Sequence, residues 1–310
     1  MKTLTHITDV GAPSHEGCDS TKRIKDQYQR LNFEAQVITA GKSPLEIAFL
    51  ACTQAHPQAK INARKALAKL GLTPQPLAPV ALNSAPRNSD QILANGKEDH
   101  IFRVTAENEE DAETLLIYGP EVLKWILAFR GKTGVAIERI IEIPDIIADT
   151  SIDSQFRSCE HLPIVHAFQA RGKLDENSRR ENIDVDSIPD FSLGENEVLV
   201  LSPDEYSNGR VLVQQNLFDE IFSHEEVKIP AISDNTALQV RRSLTEVTPF
   251  GVSKALSVWP SSNHLPQTHL NVLNIGTRWE KGATSPSNDP ALISFVQQLR
   301  NDIGKCYRVG

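Results

Sequence analysis

The sequence predicts an α/β protein, with an N-terminal parallel-sheet domain followed by a smaller C-terminal β-barrel-like domain. Three observations predict it. Strand-like and helix-like segments alternate over residues 1–172, the pattern of βαβ units. A stretch rich in Asp, Glu, Asn and Arg then interrupts the apolar texture, and reads as an exposed linker over 173–194. Beyond it, over 195–310, short strand-like runs are separated by turn residues, the texture of a small all-β domain closed by a helix. A length of 310 residues suits two such domains.

The elements follow from local signals. Leu4 to Val10 alternates as an opening strand and breaks at Gly11-Ala12-Pro13. Asp19-Ser20 caps a helix over Thr21 to Leu31, and Phe33 to Thr39 is a second strand. Ser43-Pro44 opens a helix with Ser as N-cap and Pro in the first turn, and Leu45, Ala48, Phe49 and Cys52 recur along it at helical spacing. Pro79 to Asn83, His100 to Thr105, Glu113 to Tyr118 and Ala136 to Ile143 are further strands. Pro120 to Phe129 is a helix with Val122, Leu123, Ile126 and Leu127 inward, and another runs from Ser154 or Gln155 to about Gln169. In the second domain the strands are Glu197 to Leu201, Arg210 to Gln214, Glu226 to Ile229, Leu238 to Leu244, Ala255 to Trp259 and Leu270 to Ile275, and Pro290 to Ile303 is the closing helix.

Composition narrows the function classes. The chain has 40 acidic against 32 basic residues, a formal charge of −8, which argues against a general nucleic-acid grip and against docking on anionic membrane. No apolar run approaches the ~18 residues of a membrane-spanning helix. His6 and Asp9 interrupt the opening apolar stretch, so a signal peptide is not expected and a cytoplasmic protein is. Cys18, Cys52, Cys159 and Cys306 are scattered without a CxxC pair, and are expected to be free thiols. There is no GxGxxG, Walker loop, HExxH or GxSxG. No metal site is expected: His264 and His269 fall on opposite faces of a strand, and His161 and His166 are poorly spaced for one ion on a helix.

In a parallel sheet, ligands sit at the carboxyl ends of the strands, and Asp9, Asn83 and Gly119 all lie there. Asp9, in Thr8-Asp9-Val10-Gly11, can accept both hydroxyls of a ribose, and Gly11 permits close approach; the plainer reading is a turn or cap carboxylate. Asn83-Ser84-Ala85-Pro86-Arg87 is a turn with one fixed cation. Gln155-Phe156-Arg157-Ser158-Cys159-Glu160 gathers polar groups at a helix start, where backbone N–H groups lack partners and anions bind. Asp204-Glu205-Tyr206-Ser207-Asn208 is an acidic turn suited to an ammonium group, and Ser261-Ser262 follows Trp259-Pro260.

Taken in order, these pieces resemble the S-adenosylmethionine hydroxide adenosyltransferase family, which includes the fluorinases and chlorinases. Thr8-Asp9-Val10-Gly11 stands where the family has Thr-Asp-Phe-Gly. Asn83 to Arg87 stands where it has Val-Asp-Pro-Gly-Val-Gly followed by Arg. Tyr118-Gly119-Pro120-Glu121 resembles its Gly-Pro-Asp-Asn-Gly. Gln155-Phe156-Arg157-Ser158-Cys159-Glu160 stands where the hydrolases have Thr-Phe-His-Gly-Arg-Asp and the fluorinase Thr-Phe-Tyr-Ser-Arg-Glu. Asp204 and Asn208 keep the spacing of Asp-Arg-Phe-Gly-Asn, and Ser261-Ser262 matches a late Ser-rich turn. The resemblance spans most of the chain, and the two-domain division is the family's own.

The resemblance implies binding of S-adenosylmethionine (SAM) as substrate, with no separate cofactor. Asp9 would hold the ribose hydroxyls, Phe156 would line the site, and Asp204, Asn208 and Ser261 or Ser262 would hold the methionine amino and carboxylate groups. Attack at ribose C5′ expels methionine from the sulfonium; water yields adenosine, halide a 5′-halogenated adenosine. The hydrolases handle the water with an Asp, an Arg and a His. Here these positions are Asn83, Arg87 and Arg157, so the carboxylate and the imidazole are replaced, and a cationic Arg157 near a sulfonium would cost energy unless an acid such as Glu160 pairs it. Ser158 stands where the fluorinase has its halide-contacting Ser. Hydrolysis, another SAM-dependent substitution such as halogenation, and binding without turnover all remain open. The family's site lies between one subunit's α/β domain and its neighbour's β domain, which implies a homotrimer or a dimer of trimers.

Overall fold

A computed structural model describes residues 2–8, 15–40, 43–54, 79–83, 101–108, 111–141, 157–201, 203, 208–229, 237–249, 253, 255–261, 265, 269–278 and 290–309. The protein is mixed α/β with two seven-stranded sheets, and the chain divides into two units, Met1–Asp190 and Phe191–Gly310.

In the first unit, β1 (Lys2–Thr8), α1 (His15–Arg30), β2 (Phe33–Thr39), α2 (Pro44–Gln54) and β3 (Val80–Asn83) follow one another. They continue through β4 (Ile101–Asn108), β5 (Asp111–Tyr118), α3 (Pro120–Arg130), β6 (Val135–Ile140), α4 (Arg157–Ala170), α5 (Leu174–Asn177) and β7 (Arg180–Ile183). The sheet order is β2-β1-β3-β5-β4-β6-β7. Half of it is parallel, as expected: β1 pairs in parallel with β2 and β3, and β3 with β5. The other half is not. β4 pairs antiparallel with β5 and β6, and β6 with β7. Only two residues of sequence separate β4 from β5, too few for the crossover that a parallel pair needs.

The charged stretch expected as a linker is instead partly built into this unit. β7 extends the sheet with Ile183 opposite Ile137. Its charges are absorbed by ion pairs: Arg180 meets Glu138 at 2.9 Å and Asp175 at 3.1 Å, and Arg103 donates from Nε to Glu138 at 2.5 Å. A polar composition reads as solvated when the opposite charges come from distant strands.

Helix starts follow the local chemistry. Ser43 caps α2 as half of a capping box: its hydroxyl accepts the Glu46 N–H at 3.2 Å, and the Glu46 carboxylate accepts the Ser43 N–H at 3.1 Å. Gly119, at the end of β5, has φ 104, a conformation that favours glycine, and Pro120 then opens α3. Ile24 and Tyr28 of α1, with Leu31 just beyond it, form an inward stripe. They share a core with Leu4, Ala81, Leu116, Tyr118 and the buried face of α4 (Cys159, Leu162, Val165).

In the second unit, β8 (Glu197–Leu201), β9 (Gly209–Gln214), α6 (Gln215–Ile221), β10 (Glu226–Val227), β11 (Leu238–Val240), β12 (Ser257–Pro260), β13 (Leu270–Gly276), α7 (Pro290–Asn301) and β14 (Cys306–Arg308) form a sheet of order β10-β11-β12-β13-β9-β8-β14. Among the described residues, this order runs from one edge strand to another without a pairing that closes a barrel. Val198, Val200, Val211 and Val213 alternate inward, and Leu292, Phe295, Val296 and Leu299 of α7 join their core. No described helix is long and apolar enough to cross a membrane.

Candidate functional site

The parallel half of the first sheet brings its carboxyl ends into one row. Thr8 of β1 lies opposite Asn83 of β3, and Asn83 opposite Tyr118 of β5. Side chains alternate along a strand, so Asn83 shares a face with Ala81 and Tyr118 with Leu116; this is the face that α1 and α4 cover. Asn83 is fully buried. Its Nδ2 approaches Cys159 Sγ at 3.8 Å, and Ser158 Oγ lies 3.9 Å from the same sulfur. Among the described residues its Oδ1 has no hydrogen-bond partner. A buried amide oxygen without a donor costs roughly 1–3 kcal/mol, and marks a place where a donor group would be stabilised.

α4 begins at this row. Its first N–H groups have no partners within the helix. Pro163, inside the helix, has no N–H to give the carbonyl of Cys159, its i−4 residue. The end of β3 and the start of α4 thus bring two of the sequence-predicted residues, Asn83 and Ser158, to one buried polar spot. Arg157 is the first residue of α4. Glu160, an acid that could offset the charge of Arg157, forms an ion pair with Arg23 of α1 at 3.6 Å. Asp9, Arg87, Phe156, Asp204 and Ser262 lie outside the described residues.

The remaining two site residues, in the second unit, are separated by its register. Asn208 precedes β9, whose Gly209 lies opposite Ile275 of β13. The Asn208 side-chain oxygen accepts the Thr277 N–H at 3.3 Å and sits over Gly276, where a Cβ would stand 2.2 Å from it. Ser261 follows β12 on the other flank of β13 and donates its N–H to the Val272 carbonyl at 2.9 Å. Gly276 and Val272 are four residues apart, roughly 13 Å along a strand. Asn208 is thus anchored beside Gly276 and Ser261 beside Val272, at separate points along β13.

Below the polar row lies a buried cluster that sequence reasoning missed. His6 Nδ1 is 3.0 Å from Tyr28 Oη, Tyr28 Oη is 2.6 Å from His166 Nδ1, and His166 Nε2 is 2.7 Å from the Pro79 carbonyl. All three side chains are fully buried. The direction of the chain follows from valence. A carbonyl only accepts, so His166 Nε2 carries hydrogen, and a neutral His166 accepts at Nδ1. Tyr28 therefore donates to His166 and accepts from His6 Nδ1–H. His6 Nε2 is left as a bare lone pair, with no partner. The signal in the sequence was slight: His6 stands in an apolar strand, but its partners are 22 and more residues away.

Burial holds His6 down at about 3, with the charge of a cationic His166 adding to it; burial likewise holds His166 at about 4, against the raising effect of its bond to Pro79. In the unfolded chain both titrate near 6.5. The native state therefore binds fewer protons below that value. The stabilisation is fully present above about pH 6.5 and is lost as pH falls toward 4, by about 1.4 kcal/mol per pH unit for each histidine. Urea unfolding at pH 7.5, 6.0 and 5.0 is expected to show this accelerating loss; a midpoint constant over that range would contradict the buried neutral pair.

Among the described residues no group of three or more His, Cys, Asp or Glu could hold a metal ion. Cys52, Cys159 and Cys306 are free thiols, the first two buried.

No protein-family model and no curated protein matches the chain. Solved structures do. The chain resembles an uncharacterized conserved protein from Thermotoga maritima at 16% identity, over 99% of this chain and 100% of that one, with a TM-score of 0.57. It also resembles a conserved hypothetical protein from Thermus thermophilus at 12% identity, over 100% of both chains, with a TM-score of 0.49. At such identity the first likeness is one of fold alone.

Proposed function

We propose that the protein binds S-adenosylmethionine at the carboxyl ends of β1, β3 and β5 and cleaves it by attack of water at ribose C5′. The observation that carries this reading is Asn83: a fully buried side chain at the centre of the strand-end row, its Oδ1 without a partner, facing the first turn of α4. Asp9, following Thr8 in that row, holds the ribose diol. The Asn83 Oδ1 accepts a hydrogen from the water and so aims an oxygen lone pair at C5′. The new bond is C5′–O and the broken one C5′–S; the sulfonium takes the electron pair and leaves as a neutral thioether. SAM and water give adenosine, methionine and one proton. An amide cannot take that proton, which passes from the alkylated water to solvent. Catalysis here is placement and desolvation, since the sulfonium is already a good leaving group.

Charge-assisted bonds to a ribose diol are worth roughly 1.5–3 kcal/mol each. Asp9→Ala is therefore expected to weaken SAM and adenosine binding by roughly ten-fold to a few hundred-fold, and Asp9→Asn less. A carboxylate that merely caps a turn would lower stability by ~1 kcal/mol and leave affinity unchanged. Calorimetric titration beside melting curves separates the two. Absence of SAM binding by the unaltered protein would end the reading.

The resemblance also implies assembly as a homotrimer or a dimer of trimers. Sedimentation at several concentrations is expected to give that mass; a concentration-independent monomer that binds SAM fully would contradict it.

A further inference from the structure

We infer that the His6–Tyr28–His166 relay is an acid-sensitive lock that holds α4 on the sheet and so fixes its first turn against the ends of β1 and β3. This goes beyond the SAM reading and does not depend on it. The relay joins four separate parts of the first unit: β1 through His6, α1 through Tyr28, α4 through His166, and the residue that leads into β3 through the Pro79 carbonyl. α4 runs antiparallel to β3: Cys159 meets Asn83 at the carboxyl end of that strand, and His166 meets Pro79 before its first residue. Cys159 and His166 are seven residues apart, two turns along one face. A displacement of α4 at His166 is therefore carried to the polar row at Asn83 and Ser158.

The relay works only with both imidazoles neutral. Protonation of His166 at Nδ1 leaves two hydrogens facing each other unless Tyr28 turns to donate to His6 Nδ1, which can accept only by moving its hydrogen to Nε2, where no acceptor stands among the described residues. Protonation of His6 places a cationic N–H at Nε2, where no acceptor stands. The charged groups nearby do not relieve this. Lys2 of β1 acts against a cationic His166. Arg23 of α1 pairs with Glu160 of α4, and Lys22 with Asp26 on the exposed side of α1. Glu34 of β2 accepts from the Thr3 hydroxyl. Arg103 of β4 reaches Gln169 and Asp175, and Arg171 beyond α4 lies over the Phe33 ring. β3 carries no charged residue. Acid therefore favours a state in which α4 has moved off the sheet and both imidazoles meet water.

Two single-thiol proteins test this, one keeping only Cys159 and one only Cys52, which is equally buried but on α2. Each is labelled with 4,4′-dithiodipyridine, which reacts in acid, and rates are divided by those of the same protein in denaturant. Below pH 6.5 the Cys159 rate is expected to rise by up to a hundred-fold per pH unit, two protons per opening, and to exceed the Cys52 rate about tenfold or more at pH 5. His6→Asn keeps an N–H donor near the Nδ1 position but cannot titrate. It is expected to reduce the rise to about tenfold per pH unit. Equal normalised rates at the two thiols, a Cys159 rate flat between pH 7.5 and 5, or an unchanged slope in His6→Asn would overturn the lock. Should His6→Asn fail to fold, the contrast between the two thiols decides alone.

Discussion

Placing a carboxylate and an imidazole in the proposed site, as Asn83→Asp with Arg157→His, is expected to raise water-dependent SAM cleavage by roughly 10²–10⁴-fold, the range of general acid–base help. The expectation rests on where Asn83 sits. The side chain is fully buried beside a thiol, and a carboxyl group there has its pKa raised by desolvation toward neutrality, which suits a base. An aspartate at 83 could both orient the water, the role proposed for the amide, and receive its proton, which an amide cannot. The histidine at 157 would replace a permanent cation at the first residue of α4. The single changes separate the contributions: Asn83→Asp should carry more of the gain, because it adds a proton acceptor. No gain in a double variant that folds and binds SAM would mean that these positions do not handle the nucleophile.

Glu113→Ala is expected to cost roughly 3–5 kcal/mol of stability. Arg130 and Glu113 form an ion pair at 2.5 Å with side chains only 11% and 8% exposed. Among the described residues the Arg130 Nε and Nη2 have no hydrogen-bond partners; Cys52 lies against the guanidinium, and Glu113 is the carboxylate that pairs it. Removing it leaves a buried cation beside Cys52, whose thiol burial pushes up and so keeps it from serving as a counter-anion. The loss is therefore a desolvation penalty rather than the worth of the bond. The paired change Arg130→Met with Glu113→Leu, which removes both charges and keeps the volume, should recover most of it. Urea unfolding of the single and double variants measures this; a Glu113→Ala loss below about 1 kcal/mol, the worth of an exposed pair, would show that water reaches Arg130.

Much of the fold was legible because its signals are local. The Ser43-Pro44 start of α2, the Gly119-Pro120 start of α3 and the alternating valines of β8 and β9 each follow from the chemistry of neighbouring residues. The carboxyl-end row was legible too, since an α/β alternation places strand ends together, and Asn83 and Ser158 do meet across Cys159. Features set by long-range pairing were not. The direction of β4 depends on its partners, and β7 is held by Arg103 and Glu138 from elsewhere in the sheet. The histidine–tyrosine relay joins residues up to 160 positions apart in sequence (His6 and His166), and nothing near His6 signals Tyr28. The bond from the Thr277 N–H to Asn208 was not legible either, because a polar residue before a strand looks the same in sequence whichever backbone group it meets.

Identification of the nucleoside products tests the central claim most directly. The purified protein is incubated with SAM, with and without chloride, and the products are separated and weighed by mass spectrometry. The account predicts adenosine and methionine in equal amounts, independent of chloride, with oxygen-18 from labelled water in the 5′-hydroxyl of adenosine. A 5′-chlorinated nucleoside formed only with chloride, oxygen-18 absent from the adenosine, or SAM recovered intact from a protein that binds it would each contradict cleavage by water at Asn83.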